Sequence, residues 1–417
     1  MNQSPQADLI IENASEVLTC AADADDLIGR VPGGAVTVGG GRILAVGAAN
    51  EVDATVERAG AQIIDAGGKV VMPGFVDCHT HLVFGGSRVD EYTARLTGAN
   101  LDGLRARGIP VGITGTVEQT RDLSVDALVD AALPRLAEML RTGTTTVESK
   151  SGYGLTPASE LRMLQVNRVL DELQPVDVVG TFLGAHAFPR DVALERYVDQ
   201  VVEEMIPRVA EMGLARFCDV YCDEGFFTVE QSQRVLEAGV ARGLTPKIHL
   251  DQYTHTGAAD LAARLGSVSA DHLNFTGSAE LQTLAAAGVV GVAMPALDFA
   301  VAHPRPIDIR SLIDAGMAVA LATDMCPGCW LTSMQFVITL ACRLHRLSPA
   351  ETVRASTITG AQALGMADEV GSLEPGKRAD LLILDVERYE DLAYRLGRNA
   401  VATVIKNGRV VVVREQV

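Results

Sequence analysis

The stretch Pro73-Gly74-Phe75-Val76-Asp77-Cys78-His79-Thr80-His81 decides the fold. A short apolar run, Phe75–Cys78, ends abruptly in an HxH pair. Side chains alternate along extended backbone, so His79 and His81 fall on one side and can face one ion. Further runs of the same kind follow at Thr144–Glu148, Val178–Leu183, Arg216–Tyr221, Pro246–Ile248, Ser267–Ala270, Val289–Met294 and Met317–Ala322. Helix-period segments such as VDALVDAALPRLAEMLR and VEQSQRVLEAGVAR separate most of them. Eight strands with intervening helices predict an α/β chain built on a closed parallel (β/α)8 TIM-like barrel.

In such a barrel the chemistry sits at the C-terminal ends of the strands. His79 and His81 end the first run, Glu148 and Lys150 the second, and His186 follows the third. His249 ends the fifth, Asp271 and His272 the sixth, and Asp324 the eighth. Five of the eight histidines thus fall at one rim. A lone strand-end histidine is usually a satisfied polar residue. An HxH pair joined by a third histidine and an aspartate from two other strands is a ligand set. Imidazole and carboxylate suit one divalent ion, Zn2+ or Fe2+, with a position left for water. The metal ligands expected are His79, His81, His249 and Asp324.

Outward from the barrel, residues 8–72 read as short β-branched runs between Gly-rich turns, and the last stretch reads the same way. Asn407-Gly408 is a two-residue hairpin turn. The expected division is therefore a β-sandwich from both chain ends, residues 1–72 and 371–417, with the barrel, residues 73–370, inserted between them. At 417 residues the chain is long enough for both. The net charge of −18 argues against nucleic acid or an anionic membrane as partner. One buried arginine can still hold an anionic small substrate against that field. The N-terminus has no basic segment leading into an apolar run, and the stretch Ala285–Ala302 is interrupted by Pro295 and Asp298. Seven cysteines without an export signal read as reduced thiols, so a cytoplasmic location is expected. Cys218 and Cys222 read as packing residues, and the Cys326–Cys329 CxxC as two small residues lining a pocket.

The order HxH, His, His, Asp after strands one, five, six and eight resembles the amidohydrolase superfamily. Within it, PGFVDCHTHLVFGGSR, GTTTVESKSGYGL, LGAHAFP, SADHL and VALATD resemble the imidazolonepropionase family over residues 73–370. The resemblance implies hydrolysis of 4-imidazolone-5-propanoate to N-formimidoyl-L-glutamate in histidine degradation, by a homodimer. It implies Asp324 as general base and His272 as the group stabilising the oxyanion. It implies substrate contacts from Arg88, which would hold a carboxylate, and from Tyr153, His186, Gln252 and the loop residues Cys326, Gly328 and Cys329. The family pattern has an asparagine at Cys326, a hydroxyl residue at Cys329, a tyrosine at Leu101 and a Gly-rich turn at Ile109–Ile113.

Two other functions stay open. A related amidohydrolase or deaminase could act on a different small heterocycle, although deaminases of the superfamily carry a glutamate where Gln252 stands, and an amide shuttles no proton. A non-catalytic protein that binds metal and ligand is the alternative of another class. Glu148 and Lys150 read as a structural ion pair near the rim.

Overall fold

The computed structural model describes residues 5–22, 24, 26–98 and 100–414. The chain packs into two compact units, Met1–Cys78 with Ala137–Thr146 and Ser333–Val417, and His79–Leu136 with Val147–Thr332.

The eight expected barrel strands form. They are β1 (Phe75–Asp77), β2 (Thr144–Lys150), β3 (Asp177–Ala185), β4 (Phe217–Cys222), β5 (Thr245–Leu250), β6 (Ser269–His272), β7 (Val290–Ala293) and β8 (Val319–Leu321). They lie side by side in chain order in one sheet. Most are buried along their whole length, which is why they read as unbroken apolar runs instead of alternating ones. The helices between them carry ordinary signals. Helix Val229–Ala241, for instance, starts at a capping box built by Thr228 and Gln231.

Register aligns the functional side chains. Tyr221 of β4 stands level with His249 of β5, His249 with Asp271 of β6, and Leu250 with His272. The ring closes just beyond the ends of β1 and β8. There Thr80 pairs in parallel with Met325, His81 N–H donates to the Met325 carbonyl at 2.8 Å, and Asp324 N–H donates to the His79 carbonyl at 3.1 Å. The closing hydrogen bonds therefore join the backbones of three expected metal ligands.

The other unit holds two sheets drawn from both chain ends. One has four strands, ordered Arg42–Ala48, Gly34–Gly39, Leu9–Glu12 and Gln62–Asp65. The other has six, ordered Arg409–Val413, Val401–Lys406, Leu381–Leu384, Val70–Pro73, Glu16–Leu18 and Arg30–Pro32. Leu9, Ile11 and Val36 of the first share a core with Val71, Leu381, Ile383 and Ile405 of the second. The hairpin turn at Asn407-Gly408 is present, with φ of 49° and 73°, the paired left-handed values that a type I′ turn requires. Among the described residues no helix is long and apolar enough to cross a membrane.

Candidate active site

All the site residues expected from the sequence lie in the unit formed by residues 79–136 and 147–332. His79 and His81 leave the end of β1 on one side, as alternation requires. His79 Nε2 and His81 Nε2 lie 3.9 and 3.8 Å from Asp324 Oδ1. Both distances are under twice a metal–nitrogen bond of about 2.1 Å, so a single ion can reach all three. His249 joins through His79, their rings 4.6 Å apart. Two overlapping triads result, His79–His81–Asp324 and His79–His249–His272, each with ligand atoms within 4.8 Å of one another.

A chemical test supports the fit to a metal. Burial holds the imidazoles of His79, His81 and His249 well below their usual pKa, so each stays neutral and keeps a lone pair. Yet His79 Nε2 and His249 Nε2 are buried without a hydrogen-bond partner among the described residues. Buried nitrogens left this way cost about 1–3 kcal/mol each, which a bound cation offsets. Carboxylates stand behind two of these rings. Asp271 Oδ2 is 2.6 Å from His79 Nδ1, and Asp219 Oδ2 is 3.0 Å from His249 Nδ1. Burial opposes the charge on Asp271, but Lys247 and Lys150 outweigh it and hold that carboxyl below its ordinary value. An ionised Asp271 takes the proton of His79 Nδ1 in a hydrogen bond and turns Nε2 outward as the ligand atom.

Beside this centre lies a cavity of about 310 Å³. His81, Arg88, Tyr153, His186, His249, Gln252, His272, Asp324, Cys326 and Gly328 all line it, a convergence that no strand-end histidine alone would give. His186 stacks on His81 at 4.7 Å between ring centres. Burial lowers the pKa of His186 to about 4 and that of His272 to about 3, so both are neutral near pH 7. Tyr221 donates a 2.7 Å hydrogen bond to Gln252 Oε1. The Tyr153 loop is shaped by buried Glu160, whose carboxylate accepts the N–H groups of Gly152, Gly154 and Leu155 at 2.7–2.8 Å.

The chain matches known proteins along nearly its whole length. It is 46% identical over 391 residues to an imidazolonepropionase of Geobacillus kaustophilus, spanning 92% of this chain and 91% of the relative. It is 42% identical over 410 residues to an imidazolonepropionase of Parabacteroides distasonis, spanning 96% and 98%. The chain belongs to the imidazolonepropionase family. Two models of the amidohydrolase family match residues 62–108 and 230–411. The chain is thus a metal-dependent hydrolase of the amidohydrolase type, acting on C–N bonds in cyclic amides. The fold recurs in a 5-methylcytosine deaminase of Klebsiella pneumoniae, with a TM-score of 0.73 at 19% identity over 98% of both chains. It recurs also in an adenosine deaminase of Xanthomonas campestris with bound zinc, with a TM-score of 0.72 at 22% identity over 98% of this chain and 94% of the other.

Three details of this imidazolonepropionase-family site differ from the sequence expectation. Cys329 does not line the cavity; its thiol packs against the Thr323 carbonyl at 3.8 Å, while Cys326 and Cys329 exchange backbone hydrogen bonds of 3.1 Å across a tight turn. Glu148 and Lys150 do pair, at 2.8 Å, but both are fully buried and belong to a larger network reaching Asp219 and Asp271. Arg88 lines the cavity with its fork already engaged by Glu91 at 2.8 and 3.1 Å. That carboxylate also accepts Arg95 at 2.8 Å and the Gly112 N–H at 2.8 Å. Two guanidinium groups on one carboxylate leave a local positive surplus at the cavity. Sequence reasoning missed Glu91, Arg95, Tyr221 and Asp219. The 88–91–95 spacing, one helix face, was the available signal for the first two. Of the departures from the family pattern, Gly112 and Ile113 line the cavity, and the Leu101 side chain lies outside the described residues.

Proposed function

We propose that the protein hydrolyses 4-imidazolone-5-propanoate to N-formimidoyl-L-glutamate in histidine degradation. The observation that carries this reading is the single cavity in which His81, His249, His272 and Asp324 face the same space as Arg88. A hydrolytic centre and a carboxylate-binding fork so combined suit a ring that carries an acid side chain.

A divalent ion held by His79, His81, His249 and Asp324 would bring the pKa of water towards neutrality and polarise a carbonyl. The chain's own groups do the rest. Asp324 takes the proton of the attacking water and returns it to the ring nitrogen that leaves. Neutral His272 donates a hydrogen bond to the carbonyl oxygen as negative charge grows on it. Arg88, steadied by Glu91, pairs with the substrate's carboxylate. Tyr153, His186, Gln252, Cys326 and Gly328 contact the rest of the molecule.

Three imidazoles and a carboxylate suit zinc or iron(II), and elemental analysis decides between them. The same reading carries residues 73–370 as the catalytic barrel, a homodimer and a cytoplasmic location, the second checked by native mass and the third by fractionation. The deciding experiment is turnover of imidazolonepropionate, followed as loss of the ring's ultraviolet absorbance. Ammonia release from another heterocycle, without opening of this ring, would move the protein to the deaminases. Bound metal with no turnover would make it a binding protein.

A further inference from the structure

We propose that Lys150 is a positioning residue for the metal centre, its one ammonium fixing the two carboxylates that stand behind His79 and His249. The proposal rests on the reading of those histidines as metal ligands. Lys150 is fully buried at the end of β2. Its Nζ lies 2.8 Å from Asp219 Oδ2, 2.8 Å from Glu148 Oε1 and 3.4 Å from Asp271 Oδ2. Asp271 in turn holds His79 at 2.6 Å, and Asp219 Oδ2 stands 3.0 Å from His249 Nδ1. One cation on β2 therefore reaches ligands leaving β1 and β5 through carboxylates on β4 and β6.

The backbone adds a second tie. Lys150 N–H donates to the Thr80 carbonyl at 2.9 Å, and the Thr80 hydroxyl donates to the Glu148 carbonyl at 2.6 Å. Thr80 is the middle residue of the HxH pair, so β2 grips that pair from both its main chain and its side chain. The other groups facing the ammonium do not reach a ligand directly. Lys247 lies 3.4 Å from Glu148, and the Thr181 hydroxyl donates to Glu148 at 2.5 Å. Without the Lys150 ammonium, Asp219 and Asp271 would lose a cation that touches both, with Lys247 left nearby, and would turn apart, taking the imidazoles with them. A lysine serves here because its ammonium is a compact point charge that adapts to three carboxylates in a fully buried space, where the larger planar fork of arginine would have to displace them.

The test uses Co2+ as the probe metal in the full chain. Affinity is read by chelator competition and ligand geometry by the visible absorption of the bound cobalt. The main variant is Lys150→Met with Glu148→Gln. It leaves Asp219, Asp271 and Lys247, and so keeps the network's net charge at the value set by three carboxylates and two ammonium groups. Glu148→Gln alone is the control, since it leaves the Lys150 links to Asp219 and Asp271 in place. We expect the control to stay within about threefold of wild type, and the double variant to bind cobalt about 10–100-fold more weakly, with shifted absorption bands. A folded double variant with wild-type affinity and spectrum overturns the proposal. Should the double variant not fold, Lys150→Arg decides. It keeps the charge, and an unaltered cobalt spectrum in it also overturns the proposal. Wild-type protein that binds no cobalt, or His249→Ala that keeps it, instead overturns the reading of the site.

Discussion

His272 and Asp324 both take a left-handed backbone, with φ of 80° and 48°. That conformation costs an ordinary residue about 1–2 kcal/mol, and aspartate and asparagine tolerate it best. Asp324→Asn therefore keeps the backbone's preference while losing the proton acceptor. We expect a wild-type circular dichroism spectrum, hence a kept fold, and a loss of several orders of magnitude in turnover in the ring-absorbance assay, since proton acceptor and metal ligand go together. His249→Ala should lose most of its metal by elemental analysis; full occupancy would contradict its place among the ligands. His272→Ala should keep its metal and lose about two to three orders of rate, the cost of removing one oxyanion donor. Near-normal turnover there would end the polarising role. Arg88 offers a charged fork inside a cavity, where such hydrogen bonds contribute about 1.5–3 kcal/mol. Arg88→Met should raise KM for the carboxylated substrate about 10–100-fold and barely affect an analogue lacking the carboxylate. Equal effects on both would show that the arginine serves the loop and not the ligand.

At the scale of the element, the loop after β2 is the part most exposed to a backbone change. Gly152 has φ of 113°, and a Cβ there would sit 2.8 Å from His186 Cβ. Gly152→Ala should thus destabilise the protein by about 1–3 kcal/mol and raise KM, because Tyr153 and His186 shift together. Denaturant melts alongside kinetics check this, and an unchanged KM would separate the loop from the substrate. Strands of this kind were legible because each is an apolar run stopped by a polar residue, as DCHTH and VESKSG show. Asp219 was not legible. It sits inside FCDVYC, where nothing local tells a buried carboxylate from an ordinary polar position. Its role comes from β4 and β5 lying side by side, with Tyr221 opposite His249, and that register is a property of the pairing. Glu91 and Arg95 were hidden for another reason: three charges on one helix face usually mark a solvated surface, yet here Glu91 is buried.

For the whole molecule, a metal bound only by the folded chain adds stability by mass action. At free metal a hundredfold above Kd the gain is about 2.7 kcal/mol, so a chelator should lower Tm and added metal restore it. An unchanged Tm would mean that the chelator leaves the ion in place or that no ion contributes. The two-ended origin of the β sheets was readable from Gly-rich turns and from Asn407-Gly408, but the neighbours of each strand were not. Val70–Pro73 pairs in parallel with Glu16–Leu18 on one side and antiparallel with Leu381–Leu384 on the other. That arrangement sets a timetable for synthesis. The near neighbour leaves the ribosome first, while the far one follows about 300 residues later, tens of seconds at about 5–20 residues per second. Throughout that interval Val70–Pro73 presents an unpaired apolar edge, the surface on which nascent chains join one another. A ribosome stalled within the barrel would leave that edge open for good, so the yield of native protein should depend on chaperone capture of the early chain as much as on the stability of the finished one.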